Sequence, residues 1–182
     1  MVAVFDTSSF MSLVKNYLPL DSSGELKNLI CEKYLSGEIR VIQEVVEECK
    51  YTAKGIILNS LDFIKTRTDL HINTKSIIPS RDFMNLLNNE FRDHQAIKTK
   101  ALDSAAVDNE KSTYLNQADC RLMLYCQKIA GENPMIVTEE STYGNDGKIH
   151  KKIPTNCSFL SIPCATLPEL LTQHYKLSIY IK

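Results

Sequence analysis

The chain has 182 residues, 43% hydrophobic and 24% charged, with 21 basic and 22 acidic residues and a formal net charge of −1. That length suits one domain able to bury its own core, and the balanced charge excludes a protein that meets a polyanion through a bulk positive field. A polyanionic partner must therefore be met by a local patch.

Val2-Ala3-Val4-Phe5 is a continuous apolar run that predicts a strand buried on both faces, with Asp6 at its carboxyl end. Phe10, Leu13, Val14 and Tyr17 follow at helical spacing, and Pro19 is expected to end that helix. Ser22 with Glu25 has the form of a capping box opening a second helix to about Leu35, with Gly37 at its exit. Ile39-Arg40-Val41-Ile42 is the next strand candidate, leading into an acidic helix from Gln43 to about Thr52 with Val45, Val46 and Cys49 on one face.

Residues 55–110 read as a helical excursion within a single domain, with amphipathic stretches around Leu58–Ile64 and Arg81–Ile97 and a polar, β-leaning loop from His71 to Pro79. Asn116 is a predicted N-cap for a helix whose apolar stripe is Ala118, Leu122, Tyr125, Cys126 and Ile129. Pro134 to Thr138 predicts a third strand, ending at Glu139-Glu140, and Phe159 to Ala165 a fourth. Thr166, Pro168 and Glu169 open a last helix, and Leu177 to Ile181 suggests an edge strand. Strands alternating with helices imply an α/β fold with a largely parallel sheet, whose ligands gather outside the carboxyl ends of the strands.

The six cysteines form no CxxC pair and no short even spacing, which argues against a disulfide scaffold or a structural zinc site and for reduced, partly core-filling thiols. No run approaches the roughly 20 apolar residues of a membrane span, and the first apolar run is too short for a signal-peptide core. A soluble, cytoplasmic protein without membrane association is expected.

In such a sheet Asp6 and Glu140 fall on one rim, and the helices after the second strand and before the third can bring Glu48 and Asp119 to it. Carboxylates packed this closely repel one another unless a cation neutralises them, and an all-oxygen set without His or Cys favours Mg²⁺ or Mn²⁺. Each acid also has a plainer reading. Asp6 suits a turn or helix N-cap, Asp119 suits an N3 partner of Asn116, and Glu44, Glu47 and Glu48 form a run whose members the pattern does not separate. Glu139 and Glu140 are adjacent, so one of them is expected to face solvent. Lys148, His150, Lys151 and Lys152 form a basic run beside the last acid, able to pair with backbone phosphates or to be a solvated loop, with Arg40, Arg81, Arg92, Lys98 and Lys100 as lesser candidates.

Four segments in this order, VAVFDTSSF (2–10), GEIRVIQEVVEEC (37–49), NQADCRLMLYC (116–126) and MIVTEES (135–141), followed by KKIPTNC (151–157), give the chain its resemblance to the PIN-domain ribonucleases, in the branch related to the toxins of VapBC-type toxin–antitoxin pairs. The resemblance implies a three-layer fold with a mostly parallel five-stranded sheet between helices. It also implies Mg²⁺- or Mn²⁺-dependent cleavage of single-stranded RNA, frequent homodimerisation and inhibition by a small antitoxin protein. Carried over residue by residue, it implies metal ligands at Asp6, Glu48, Asp119 and Glu140 and supporting hydroxyls on Thr7, Ser8 and Thr138, while Lys148, Lys151 and Lys152 remain the RNA-binding candidates. Cys49 stands where the family more often has Leu, which keeps Glu44 and Glu47 open beside Glu48, and Glu140 replaces a more frequent Asp.

Two other readings belong to different classes. A phosphohydrolase using Asp6 as nucleophile predicts a second acid two residues on, where this chain has Ser8. A catalytically degenerate fold that binds an antitoxin or RNA without cutting it is opposed by retention of all four acids.

Overall fold

In the computed structural model, which describes residues 1–178, β1 (Val2–Phe5) is the buried strand its apolar run predicts, with all four side chains enclosed. Asp6 caps α1 (Thr7–Ser12), which continues to Tyr17 as a π-helical stretch and then as a 3-10 turn over Leu18–Leu20. Pro19 lies inside that turn instead of ending the helix before it. The first residues of a helical turn have no intrahelical partner for their N–H, so a proline is tolerated there.

The predicted capping box does not form at α2 (Glu25–Leu35). Gly24 takes a left-handed φ of 75°, and the Asp21 carboxylate accepts the Lys27 N–H at 3.0 Å. β2 (Ile39–Arg40) is shorter than expected, because the chain peels away at Val41 and Ile42 to bond the Ile72 backbone. α3 (Gln43–Tyr51) follows with Val45, Val46 and Cys49 buried, as the spacing predicts.

The excursion contains α4 (Ile56–Ser60), α5 (Asp62–Thr66), α6 (Arg81–Asn89), α7 (His94–Thr99) and α8 (Ser104–Tyr114). The single stretch expected from Arg81 to Ile97 is broken because Asp93 caps α7, accepting the N–H groups of Gln95 and Ala96 at 2.9 and 3.0 Å. α9 (Ala118–Lys128) buries seven of its residues. Its N-cap position is Gln117, not Asn116, whose side chain is engaged with Ser112 and Arg121.

β3 (Pro134–Val137) pairs in parallel with β1 from Val2–Pro134 to Phe5–Val137. α10 (Ile153–Leu160) takes the start of the predicted fourth strand, leaving β4 (Cys164–Ala165) with two residues before α11 (Leu167–Glu169). Pro154 at the start of α10 and Ile153 and Cys157 on its buried side make this segment helical. Among the described residues the sheet has four strands, not five, all parallel, in the order β2-β1-β3-β4. Leu177 and Ser178 lie in no strand, and residues 179–181 of the predicted edge strand lie outside the described residues.

One hydrophobic cluster runs from Val2 to Leu171, so sheet and excursion share a core. All six cysteines are free thiols. No helix among the described residues is long and apolar enough to cross a membrane. The strand order reverses at β1, whose chain leaves toward β2 on one side and is flanked by β3 on the other. That reversal opens a crevice at the carboxyl ends of β1 and β3.

Candidate functional site

Asp6 and Thr138 are the residues that follow the last β1–β3 pair, and the Asp6 N–H still bonds the Val137 carbonyl at 3.0 Å. The sheet register therefore brings the first acid and the segment bearing the last acid to the mouth of the crevice. Asp6 is 5% exposed. Its Oδ2 accepts Ser8 Oγ–H at 2.6 Å, Thr138 Oγ1–H at 3.1 Å and, more weakly, Ser8 N–H at 3.3 Å. The N-cap reading of Asp6 holds, since its side chain caps α1 from within the crevice.

The three acids of the α3 run have different partners. Glu47 pairs with Lys50 at 2.6 Å at the surface, and Glu44 accepts Thr74 Oγ1–H at 2.6 Å, away from Asp6. Glu48 instead accepts Thr7 Oγ1–H through Oε2 at 2.7 Å, which draws its carboxylate toward the residue after Asp6. Although Glu48 as a whole is exposed, partial burial of the carboxylate raises its pKa, with the Asp6 charge adding to the effect and Thr7 and Lys148 opposing it.

Asp119 stands in the first turn of α9, two residues after the N-cap Gln117. Burial pushes its carboxyl up to about 7, and the neighbouring charges of Asp6, Glu140 and Glu48 push in the same direction against Lys148. Thus Asp6, Glu48 and Glu140 all bear on Asp119 although they come from separated segments. Glu140 is fixed from below by α10, whose first N–H, on Ile153, donates to Oε2 at 2.9 Å where the positive end of the helix favours a carboxylate. Its neighbour Glu139 turns away and accepts the Leu167 N–H at 2.7 Å, so the adjacent acids divide between crevice and scaffold.

Among the described residues each of the four acids keeps an oxygen without a protein donor: Oδ1 of Asp6, Oε1 of Glu48, Oε1 of Glu140 and both oxygens of Asp119. Half-satisfied carboxylates that repel one another in a partly buried crevice suit a hard divalent cation, and the all-oxygen donor set fits Mg²⁺ or Mn²⁺. No three His, Cys, Asp or Glu side chains among the described residues stand close enough to form a ready coordination shell. The acids surround the crevice without closing on a point.

A cleft of about 260 Å³ adjoins Asp119 and Glu140 and is lined by Lys100, Lys148, Lys151 and Lys152. The four are not equivalent. Lys152 forms an ion pair with Asp146 at 3.1 Å, and Lys151 lies 5.4 Å from the Phe159 ring, whereas Lys148 and Lys100 are exposed at the cleft. His150 does not present a cation here: burial first and then the nearby Arg92 push its pKa down to about 4, only partly opposed by the Glu110 backbone. Neither ring nitrogen makes a well-formed hydrogen bond, and the ring stacks on Tyr114 with centroids 3.9 Å apart. Arg40 is likewise engaged, by Glu132 and the Tyr125 hydroxyl.

Tyr114 and Glu110 of α8 also line this cleft, and sequence reading missed both. The excursion reaches it because Asp93 and Phe91 bond Ile149 and Lys151 through their backbones, a long-range pairing with no local sequence signal. No curated protein and no solved structure matches the chain. Residues 4–176 match the family described as a domain of unknown function, DUF4411, and the chain belongs to that family.

Proposed function

We propose that this chain is a divalent-metal-dependent endoribonuclease of PIN type, in which Asp6, Glu48, Asp119 and Glu140 hold Mg²⁺ or Mn²⁺. The observation that carries this reading is the gathering of Asp6, Glu48 and Glu140 around the buried Asp119, whose carboxyl their charges disfavour in its ionised form. A bound cation would supply charge neutralisation, Lewis-acid activation of the scissile phosphate and a lowered pKa for water. The chain's own residues do the positioning. Ser8 and Thr138 orient Asp6, Thr7 orients Glu48, and the α10 N-terminus orients Glu140, while Lys148 and Lys100 meet phosphates entering from the cleft.

RNA as the substrate, and a role as the toxin of a type II toxin–antitoxin pair with a small antitoxin partner, rest on the sequence resemblance. A second reading, a binding module that does not cut, is favoured by the absence among the described residues of three ligand side chains in close approach. The two separate in one assay: incubation of the protein with a labelled single-stranded RNA and Mg²⁺ or Mn²⁺. The nuclease reading expects cleavage that EDTA abolishes. It also expects Asp6→Ala to reduce the rate by roughly 100-fold or more, since even outer partners of metal ligands cost about 10–100-fold. Intact RNA under all metal conditions favours the binding module, and cleavage that survives EDTA ends the metal reading. For the toxin role, expression should arrest growth and Asp6→Ala should relieve it.

A further inference from the structure

Aromatic side chains in this protein are mostly enclosed: Tyr34, Tyr114 and Tyr125 are 2%, 2% and 5% exposed. Two tyrosines differ sharply, Tyr51 at 82% and Tyr143 at 86%. Each stands three residues beyond an acid of the crevice, Tyr51 after Glu48 on α3 and Tyr143 after Glu140 in the following loop. On a helix that spacing places Tyr51 on the same side as Glu48, one turn away.

The backbone keeps both rings uncovered. After Tyr51 three consecutive residues, Ala53, Lys54 and Gly55, take left-handed conformations with φ of 46°, 59° and 75°. Two of them are not glycine, and such strain is retained where a particular chain path is required. This reversal ends α3 at Tyr51, leaves Lys54 exposed and carries the chain off into α4. At Tyr143 the carbonyl accepts Ser141 Oγ–H at 3.2 Å, and Lys152 Nζ lies at 3.5 Å, fixing the backbone while the ring projects. Each ring has an exposed lysine close to it in the chain, Lys54 three residues after Tyr51 and Lys148 five residues after Tyr143.

An exposed aromatic surface beside a cation is the combination that holds an unpaired nucleotide, the ring stacking on the base and the cation meeting its phosphate. We propose that Tyr51 and Tyr143, each three residues from an acid of the crevice, are stacking platforms for unpaired bases, so that the protein selects single-stranded over duplex RNA. This rests on the ribonuclease reading and adds the residues that discriminate the strand.

The test is fluorescence anisotropy with a labelled single-stranded RNA in EDTA, alongside the same strand with abasic positions and a duplex of the same sequence. Tyr51→Ala and Tyr143→Ala should each weaken single-strand binding by about 5- to 100-fold, whereas Tyr51→Phe and Tyr143→Phe should bind like the wild type. Wild type should bind the abasic strand as weakly as the alanine variants bind the normal one, and the duplex more weakly than the single strand. Binding unaffected by either alanine variant, or equal for normal and abasic strands, overturns the stacking proposal while leaving metal-dependent cleavage intact. Absence of both binding and cleavage overturns this proposal together with the ribonuclease reading.

Discussion

At the residue scale the clearest tension lies at Asp119, a carboxyl that burial and three acidic neighbours disfavour in its charged form. Replacing it with Asn keeps the shape and removes the charge. In the presence of chelator at neutral pH, Asp119→Asn should melt higher than the wild type by roughly 2–4 °C per kcal/mol of relieved repulsion, and it should lose RNA cleavage. A melting temperature that falls would mean that Asp119 is a structural residue, not a functional one. His150 gives a prediction of opposite pH sign. Its folded form stays neutral down to about 4, whereas an unfolded histidine takes a proton near pH 6.5. The unfolded chain then binds more protons across this window, so the stability contributed by neutral His150 is present above about 6.5 and lost as pH falls toward 4. His150→Phe, which preserves the stack on Tyr114, should flatten the acid limb of a melting-temperature profile between those values. A limb of unchanged steepness would assign that loss to other groups. The α3 run shows what sequence cannot resolve at this scale. Glu44, Glu47 and Glu48 share a helix and differ only in partners from distant segments, namely Thr74, Lys50 and Thr7.

At the scale of elements, what could be read in advance was local or periodic. The apolar run of β1, the buried stripe of α9 and the helix start at Thr166, Pro168 and Glu169 all occur as expected, the last with Thr166 and Glu169 forming a capping box. The misread segments were decided by tertiary partners. β2 shortens because Ile72 captures Val41 and Ile42, and the predicted fourth strand yields its first residues to α10. The excursion was legible as helical but not as a wall of the candidate site. Asp93 joins the two, capping α7 while its other oxygen accepts Asn145 Nδ2–H at 3.2 Å. Asp93→Ala should cost about 1 kcal/mol, as loss of an N-cap does. It should also speed hydrogen exchange at the Lys148 and Lys151 amides, which bond Asn145 and Phe91. Exchange faster at α7 alone would show that the cap and the loop carrying Lys148 are independent.

For the whole molecule the question is what the sheet order accomplishes. Placing β1 and β3 side by side puts Asp6 and Thr138 at one crevice, and the connecting helices deliver Glu48 and Asp119 to it from opposite chain directions. Without a cation the folded state bears the repulsion of these acids, and the unfolded chain does not. A cation that binds only the assembled crevice must therefore stabilise the fold, by about 2.7 kcal/mol when its concentration is 100 times its dissociation constant. For a chain of 182 residues this corresponds to a rise in melting temperature of roughly 5–10 °C. Titration with MnCl₂ should produce that rise and EDTA should reverse it. Asp6→Ala should respond weakly at every concentration, and Glu47→Ala, whose carboxylate is paired with Lys50 at the surface, should respond like the wild type. Equal shifts in all three proteins would indicate non-specific screening of surface charge. A wild type indifferent to millimolar Mn²⁺ would leave the acids as a crevice that repels itself for some purpose other than metal binding, and would shift the balance toward the binding-module reading.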